Sequence, residues 1–86
     1  MAYALLFKPL ALRQLESLPR EVVQRRVAVK IEMLCEDPTP AGCKRIVGLD
    51  DTWRIRIGDY RVVYQVQRSV LVVLVLKIGH RREVYR

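Results

Sequence analysis

Apolar residues along this chain follow two different periods, and the switches between them mark its elements. From Ala2 to Phe7 the pattern alternates, with Tyr3, Leu5 and Phe7 on one side, which predicts a strand that Lys8-Pro9 then ends. Pro9 suits the first position of a short helix reaching about Ser17, because its missing N–H would be unsatisfied there in any case. Leu18-Pro19 breaks the chain again. A second helix is expected from about Arg20 to Glu36, where Val23, Val27, Ile31 and Leu34 make one apolar stripe with Arg25, Arg26 and Lys30 largely off it. The segment Asp37 to Asp51 is crowded with turn formers and reads as a loop. Three strand-like runs follow: TWRIRI, YRVVYQV and VLVVLVLKI. The third is apolar on both faces, which suits an interior strand. The expected architecture is α+β in two layers. An N-terminal strand and two helices pack on a mainly antiparallel sheet, completed by a C-terminal three-strand meander.

Only Gly58-Asp59 separates the first two of those runs, a strong signal for a two-residue hairpin. That turn sets a register: Ile57 opposite Tyr60, Arg56 opposite Arg61, Ile55 opposite Val62 and Arg54 opposite Val63. Parity then divides the faces. Trp53, Ile55, Ile57, Tyr60, Val62 and Tyr64 can meet the helices, while Arg54, Arg56 and Arg61 share the other side. Like charges directly opposite on a sheet destabilise it by up to about 1 kcal/mol. Exposed strand positions do accept arginine, whose stem covers apolar neighbours, but three on one face point to an anionic ligand.

Composition and charge sharpen this reading. The chain has 86 residues, enough for a single domain over 1–86, with 51% hydrophobic and 29% charged residues. Its net charge is +7, and the two halves differ. Residues 1–43 carry six basic against five acidic groups, whereas residues 44–86 carry ten against four. The positive field therefore belongs to the C-terminal half, where a polyanion would be attracted and held by counterion release. Cys35 and Cys43 make no disulfide framework and are expected as free thiols. One histidine and no clustered ligands argue against a dedicated metal site, and no cofactor is expected. No signal-like or membrane-spanning run is evident, so the expected location is cytoplasmic, with no membrane partner.

The last ten residues, KIGHRREVYR, crowd further chemistry behind the third run. His80 titrates near neutrality when unperturbed and is a candidate for proton transfer, although a lone histidine after a strand is more often a turn or packing residue. Tyr85 can stack on a base, as aromatic residues do on single-stranded RNA, or can pin the tail to the sheet. Lys44, Arg45, Lys77 and Arg82 are candidates for contacts to an RNA backbone, Lys44 and Arg45 from within a basic loop.

The pattern WRIRIGDYRVVYQV, an apolar strand, and then KIGHRREVYR resembles the RelE/ParE superfamily of bacterial toxins, in its RelE branch. The opening AYALLFKPLALRQLESLP fits as well, so the resemblance spans essentially the whole chain. It implies the toxin of a type II toxin–antitoxin module, a ribosome-dependent endoribonuclease that enters the decoding site and cuts messenger RNA there without a metal. The ribose 2′-hydroxyl attacks the adjacent phosphate in line, leaving a cyclic phosphate and a free 5′-hydroxyl. Implied partners are messenger RNA, the ribosome and a cognate antitoxin from the adjacent gene, with operator DNA bound only through the antitoxin complex. Carried over by position, the family's basic pair on the second strand falls on Arg54 and Arg56. Its next strand arginine falls on Arg61, its post-strand arginine on Arg81 and its C-terminal tyrosine on Tyr85.

One departure from the family has chemical weight. Well-studied members carry lysines where this chain has Arg54 and Arg56, and a lysine has been proposed there as the base for the 2′-hydroxyl proton. Guanidinium is effectively never deprotonated in proteins, so these two arginines are poor bases. Electrostatic stabilisation then carries most of the rate, with the proton passing to water or a phosphate oxygen, unless His80 or Tyr85 accepts it. Two other readings share parts of the pattern: the gyrase inhibition of the ParE branch, and a non-catalytic RNA- or ribosome-binding module. Neither needs Arg54, Arg56, Arg61, Arg81 and Tyr85 together.

Overall fold

The computed structural model describes residues 3–80. The elements run β1 (Ala4–Phe7), α1 (Pro9–Glu16), α2 (Glu21–Met33), β2 (Lys44–Arg45), β3 (Thr52–Ile57), β4 (Tyr60–Gln67) and β5 (Val72–His80). The strands form one sheet in the order β1-β5-β4-β3-β2, in which β1 runs parallel to β5 and the other pairs are antiparallel. The two helices pack on one face of it. This is the expected two-layer α+β architecture, with β5 in the sheet interior.

Local sequence explains where the helices start and stop. Pro9 opens α1, and Ser17 closes it by donating both its backbone N–H and its hydroxyl to the Arg13 carbonyl, at 3.0 and 2.7 Å. In α2 the stripe falls as the spacing predicts, with Val27, Ile31 and Leu34 buried and Val23 partly so. Each such side chain contributes about 1.5–3 kcal/mol on burial. The regular helix ends at Met33, three residues short of the expected Glu36. There the N–H groups of Leu34, Cys35 and Glu36 bond three residues back, tightening the last turn before Asp37-Pro38.

Core and sheet lock together through alternation. Ile55, Ile57, Val62, Tyr64, Val66, Val73, Val75 and Ile78 point to the helices and join Ala11, Val27, Ile31 and Leu34 in one buried cluster. The hairpin register is the one set by Gly58-Asp59, and Gly58 takes the positive φ of 61° that such a turn requires. In β5 the alternation slips once. Val63 pairs with Lys77 but Tyr64 pairs with Val75, so Leu76 is an extra, bulged residue. The bulge keeps Val73, Val75 and Ile78 in the core while turning Lys77 to the opposite face.

The structure corrects three expected boundaries. Lys44 and Arg45 lie not in a loop but in a two-residue strand, paired with Arg54 and Trp53. The last strand is shifted to Val72–His80, because Val70 and Leu71 belong to the preceding turn, where Leu71 has φ 56°. His80 is thus the final strand residue, opposite Tyr60, rather than a residue after the strand. Beyond Val75, β5 has lost β1 as a neighbour. The Gln14 side chain from α1 takes its place, its Oε1 accepting the Ile78 N–H at 2.8 Å.

Two polar anchors hold the ends of the sheet. The fully buried Tyr64 donates its hydroxyl to the Pro38 carbonyl at 2.6 Å, fastening the connection between α2 and β2 to the core. Burial pushes its phenol well above the ordinary range, so it stays a donor. At the end away from the hairpin, Asp51 accepts from Arg68 Nε at 2.7 Å and from Trp53 Nε1 at 2.9 Å. Those two bonds, the Arg68 one first, hold its carboxyl below the usual range. Both cysteines are free thiols, Cys35 buried and Cys43 partly so.

Two expectations follow. Tyr64→Phe leaves the Pro38 carbonyl without its donor and should cost about 1–2 kcal/mol of unfolding free energy, read by denaturant titration, with faster amide exchange across residues 38–43. For Asp51 the folded pKa is depressed, so its stabilisation is complete above the ordinary carboxylate value of about 3.9 and is lost as pH falls through the folded value. The Arg68 side chain is 52% exposed, so solvent screening keeps the effect at or below about 1 kcal/mol. Thermal melts from mildly to strongly acidic pH should therefore show a steeper acid decline for the native sequence than for Arg68→Ala. Parallel curves would remove Asp51 from this role.

Candidate functional site

One face of the sheet is occupied by the helices, and the cations gather on the other. Cross-strand partners share a face, so the pairings Lys44–Arg54, Arg54–Val63 and Val63–Lys77 define a row across four strands. Three of its four positions are basic. The next row toward the hairpin is Arg56, Arg61 and Gly79. Gly79 adds no side chain, so the space beside Arg61 on the β5 side is bounded by backbone. The bulge at Leu76 puts Lys77 in this set. With the alternation unbroken, Lys77 would have followed Val73 and Val75 into the core.

The arginines differ in how they are held. Arg56 is exposed, and its Nε donates to the Gly58 carbonyl at 3.1 Å, which ties the guanidinium to the hairpin turn. Arg54 and Arg61 are partly buried, and the Nε and Nη1 atoms of Arg61 are shielded from solvent. A half-sunk guanidinium has its stem fixed by packing, so little side-chain entropy remains to be lost when an anion docks. The lysine and arginine side chains named on this face can donate hydrogen bonds but cannot accept them. It is a surface built to receive negatively charged oxygen.

The remaining candidates fall elsewhere. Arg45 pairs with Trp53 and so has the parity opposite to Lys44. Its charge acts on Asp51, which places it with the anchor at the far end of the sheet and apart from the arginine face. His80 pairs with Tyr60, on the helix side by parity, and the two rings meet edge to face with centroids 5.8 Å apart. Around them is a cleft of about 510 Å³ that Gln14, Ser17 and Leu18 also line. Arg81, Arg82 and Tyr85 lie outside the described residues. Among the described residues, no group of three or more His, Cys, Asp or Glu side chains is placed to hold a metal ion. No described helix is long and apolar enough to cross a membrane.

Comparison with known proteins bears on the family and the fold. Residues 5–85 match the family model described as the ParE toxin of type II toxin–antitoxin systems. Toxin RelG of Mycobacterium tuberculosis is 29% identical over 86 residues, covering 100% of this chain and 99% of that protein. The isolated RelE toxin of E. coli superposes with a TM-score of 0.81 at 33% identity, over 98% of this chain and 92% of that one. The archaeal RelE of a RelE–RelB complex from Pyrococcus horikoshii gives a TM-score of 0.83 at 30% identity, over 96% and 99%. The match extends over most of the chain, which belongs to the RelE/ParE superfamily of type II toxins, in its RelE-like branch.

Proposed function

We propose that this toxin is a ribosome-dependent endoribonuclease that cuts messenger RNA in the decoding site and so stops translation. The observation that carries the reading is the face formed by Lys44, Arg54, Arg56, Arg61 and Lys77, five cations from four strands with the helices all on the other side. In the proposed reaction the ribose 2′-oxygen forms a bond to the adjacent phosphorus while the bond to the 5′-oxygen breaks. The substrate supplies its own nucleophile. The protein must hold the attacking and leaving oxygens in line and neutralise the charge that gathers on the phosphorane oxygens.

The proposed division of labour is the one the family resemblance implies, and the placement of Arg54, Arg56 and Arg61 on one face supports it. Arg61, half-sunk and central, is assigned to the scissile phosphate, with Arg54 and Arg56 flanking it. Arg81 and Tyr85, from the segment after β5, are assigned to leaving-group charge and base stacking. Because guanidinium groups cannot act as bases, the 2′-hydroxyl proton passes to water or a phosphate oxygen, and the 5′-oxygen takes its proton from solvent. Lys44, Lys77 and Arg82 hold the flanking backbone. The site of action is the cytoplasm, where ribosomes translate.

RelE of E. coli and of P. horikoshii each form a complex with RelB, and an antitoxin encoded beside this chain is proposed to neutralise it in the same way. A segment that is acidic and folds as it binds would match the +7 charge of the toxin.

Purified protein is expected to cleave messenger RNA on translating ribosomes, mapped by primer extension. Arg61→Ala and Arg81→Ala should each lower the rate at least about tenfold, roughly 1.4 kcal/mol of barrier. Undiminished cleavage in both would sink the assignment, and inhibited supercoiling with intact messenger RNA would transfer the toxin to gyrase. For His80, whose ring sits against Tyr60 on the helix side, His80→Gln should leave the pH–rate profile unchanged. Loss of a titrating limb in that variant would instead make His80 the proton acceptor.

A further inference from the structure

β2 accompanies β3 only through Arg45 and Lys44, opposite Trp53 and Arg54, so among the described residues the edge of β3 from Ile55 to Ile57 has no neighbouring strand. In a two-residue hairpin the residues flanking the turn, here Ile57 and Tyr60, exchange the first pair of ladder bonds. The backbone N–H and C=O of Arg56 therefore point outward to the open edge. The same parity holds four pairs further along, where the Thr52 carbonyl accepts the Ile46 N–H at 2.8 Å on that side.

A cleft of about 540 Å³ runs beside this edge, bounded by Lys30 of α2, Gly42, Arg56 and the hairpin turn. Arg26, one helical turn before Lys30, extends the same wall. Its Nη1 lies 3.7 Å from where a Cβ on Gly58 would sit. Both are exposed, and among the described residues neither makes an ion pair, whereas the adjacent Arg25 is bound to Glu21 at 2.9 Å. Asp59 contributes a carboxylate at the turn. Against it stand three cationic side chains and one outward N–H.

We propose that this cleft is a second phosphate-binding site for the RNA strand, distinct from the site of cleavage. The inference rests on the ribonuclease reading and extends it. Arg56 belongs to both surfaces, since its side chain starts on the arginine face and its backbone borders the cleft. A strand lying across Arg61 and Arg54 that turns over the edge of β3 meets Arg56, then Lys30 and Arg26. On this path Lys30 and Arg26 would each hold one phosphate beyond the scissile one. Such contacts fix the strand's direction without reading its bases. Binding energy from these remote phosphates can then serve in-line placement at Arg61.

The test is binding of a fluorescent, fully 2′-O-methylated single-stranded RNA dodecamer, which cannot be cleaved, measured by anisotropy over a series of potassium chloride concentrations. Each phosphate contact to a single strand adds about 0.7 to the slope of log affinity against log salt. The double variant Arg26→Gln/Lys30→Gln, at exposed positions where glutamine is an equally good helix former, should lose about 1.4 from that slope. Arg25→Gln, on the same helix but paired with Glu21, should keep it. An unchanged slope in the double variant, with the native protein binding RNA, overturns the cleft alone. No RNA binding by the native protein also overturns the cleft proposal, whereas the ribonuclease reading falls only if messenger RNA on translating ribosomes stays intact. An unchanged slope together with lost neutralisation by the co-expressed antitoxin would reassign the cleft to an acidic polypeptide.

Discussion

Packing of both helices on the same face of the sheet is the constraint from which the site follows. Two helices seal that face, and strand alternation sends every second residue of β3 and β4 either into the seal or away from it. Once Ile55, Ile57, Val62 and Tyr64 are buried, Arg54, Arg56 and Arg61 have nowhere else to go. Slipping the hairpin by one residue would drive three guanidinium groups under the helices, at a cost of several kcal/mol for each unpaired charge. The core and the cation face are thus specified by a single register. The repulsion between Arg56 and Arg61, up to about 1 kcal/mol, is small beside it.

That register could be read from sequence because its determinants are local. Gly58-Asp59 fixes the turn, and the alternation in TWRIRI and YRVVYQV says which residues face inward. β5 offered no such handle. A run of valine and leucine carries no parity of its own, so nothing in it announces that Leu76 is bulged or that Lys77 turns outward. The bulge is imposed by the partner strand and by the need to bury both Val75 and Ile78. Lys44 and Arg45 were equally opaque. Two residues are too few to show a period, and only the pairing with Arg54 and Trp53 separates one onto the cation face and the other toward Asp51.

The position of His80 shows how one residue of register changes a chemical argument. Placed after a strand, a histidine can be imagined swinging to either side. Placed as the last rung of β5, opposite Tyr60, its ring is committed to the side of the helices and meets an aromatic edge there. Gly79, its neighbour, is the residue that faces Arg61, and it brings no side chain. The one imidazole of the chain and the arginine face are therefore separated by the thickness of the sheet, which weights the chemistry toward charge stabilisation.

Replacing lysine by arginine at positions 54 and 56 is coherent with that weighting. An ammonium group can give up its proton when its surroundings are crowded with positive charge, and so can serve as a base. A guanidinium keeps its proton under the same crowding and offers a fixed fork of donors instead. On a face where Arg61 is already shielded from solvent and Lys77 and Lys44 add to the field, a group that resists deprotonation preserves the full positive potential at the phosphate. The face gives up a candidate base and gains charge that persists at every physiological pH. In the proposed cleavage, such a site would act chiefly by lowering the energy of a dianionic phosphorane, while the proton follows through solvent or the phosphate itself.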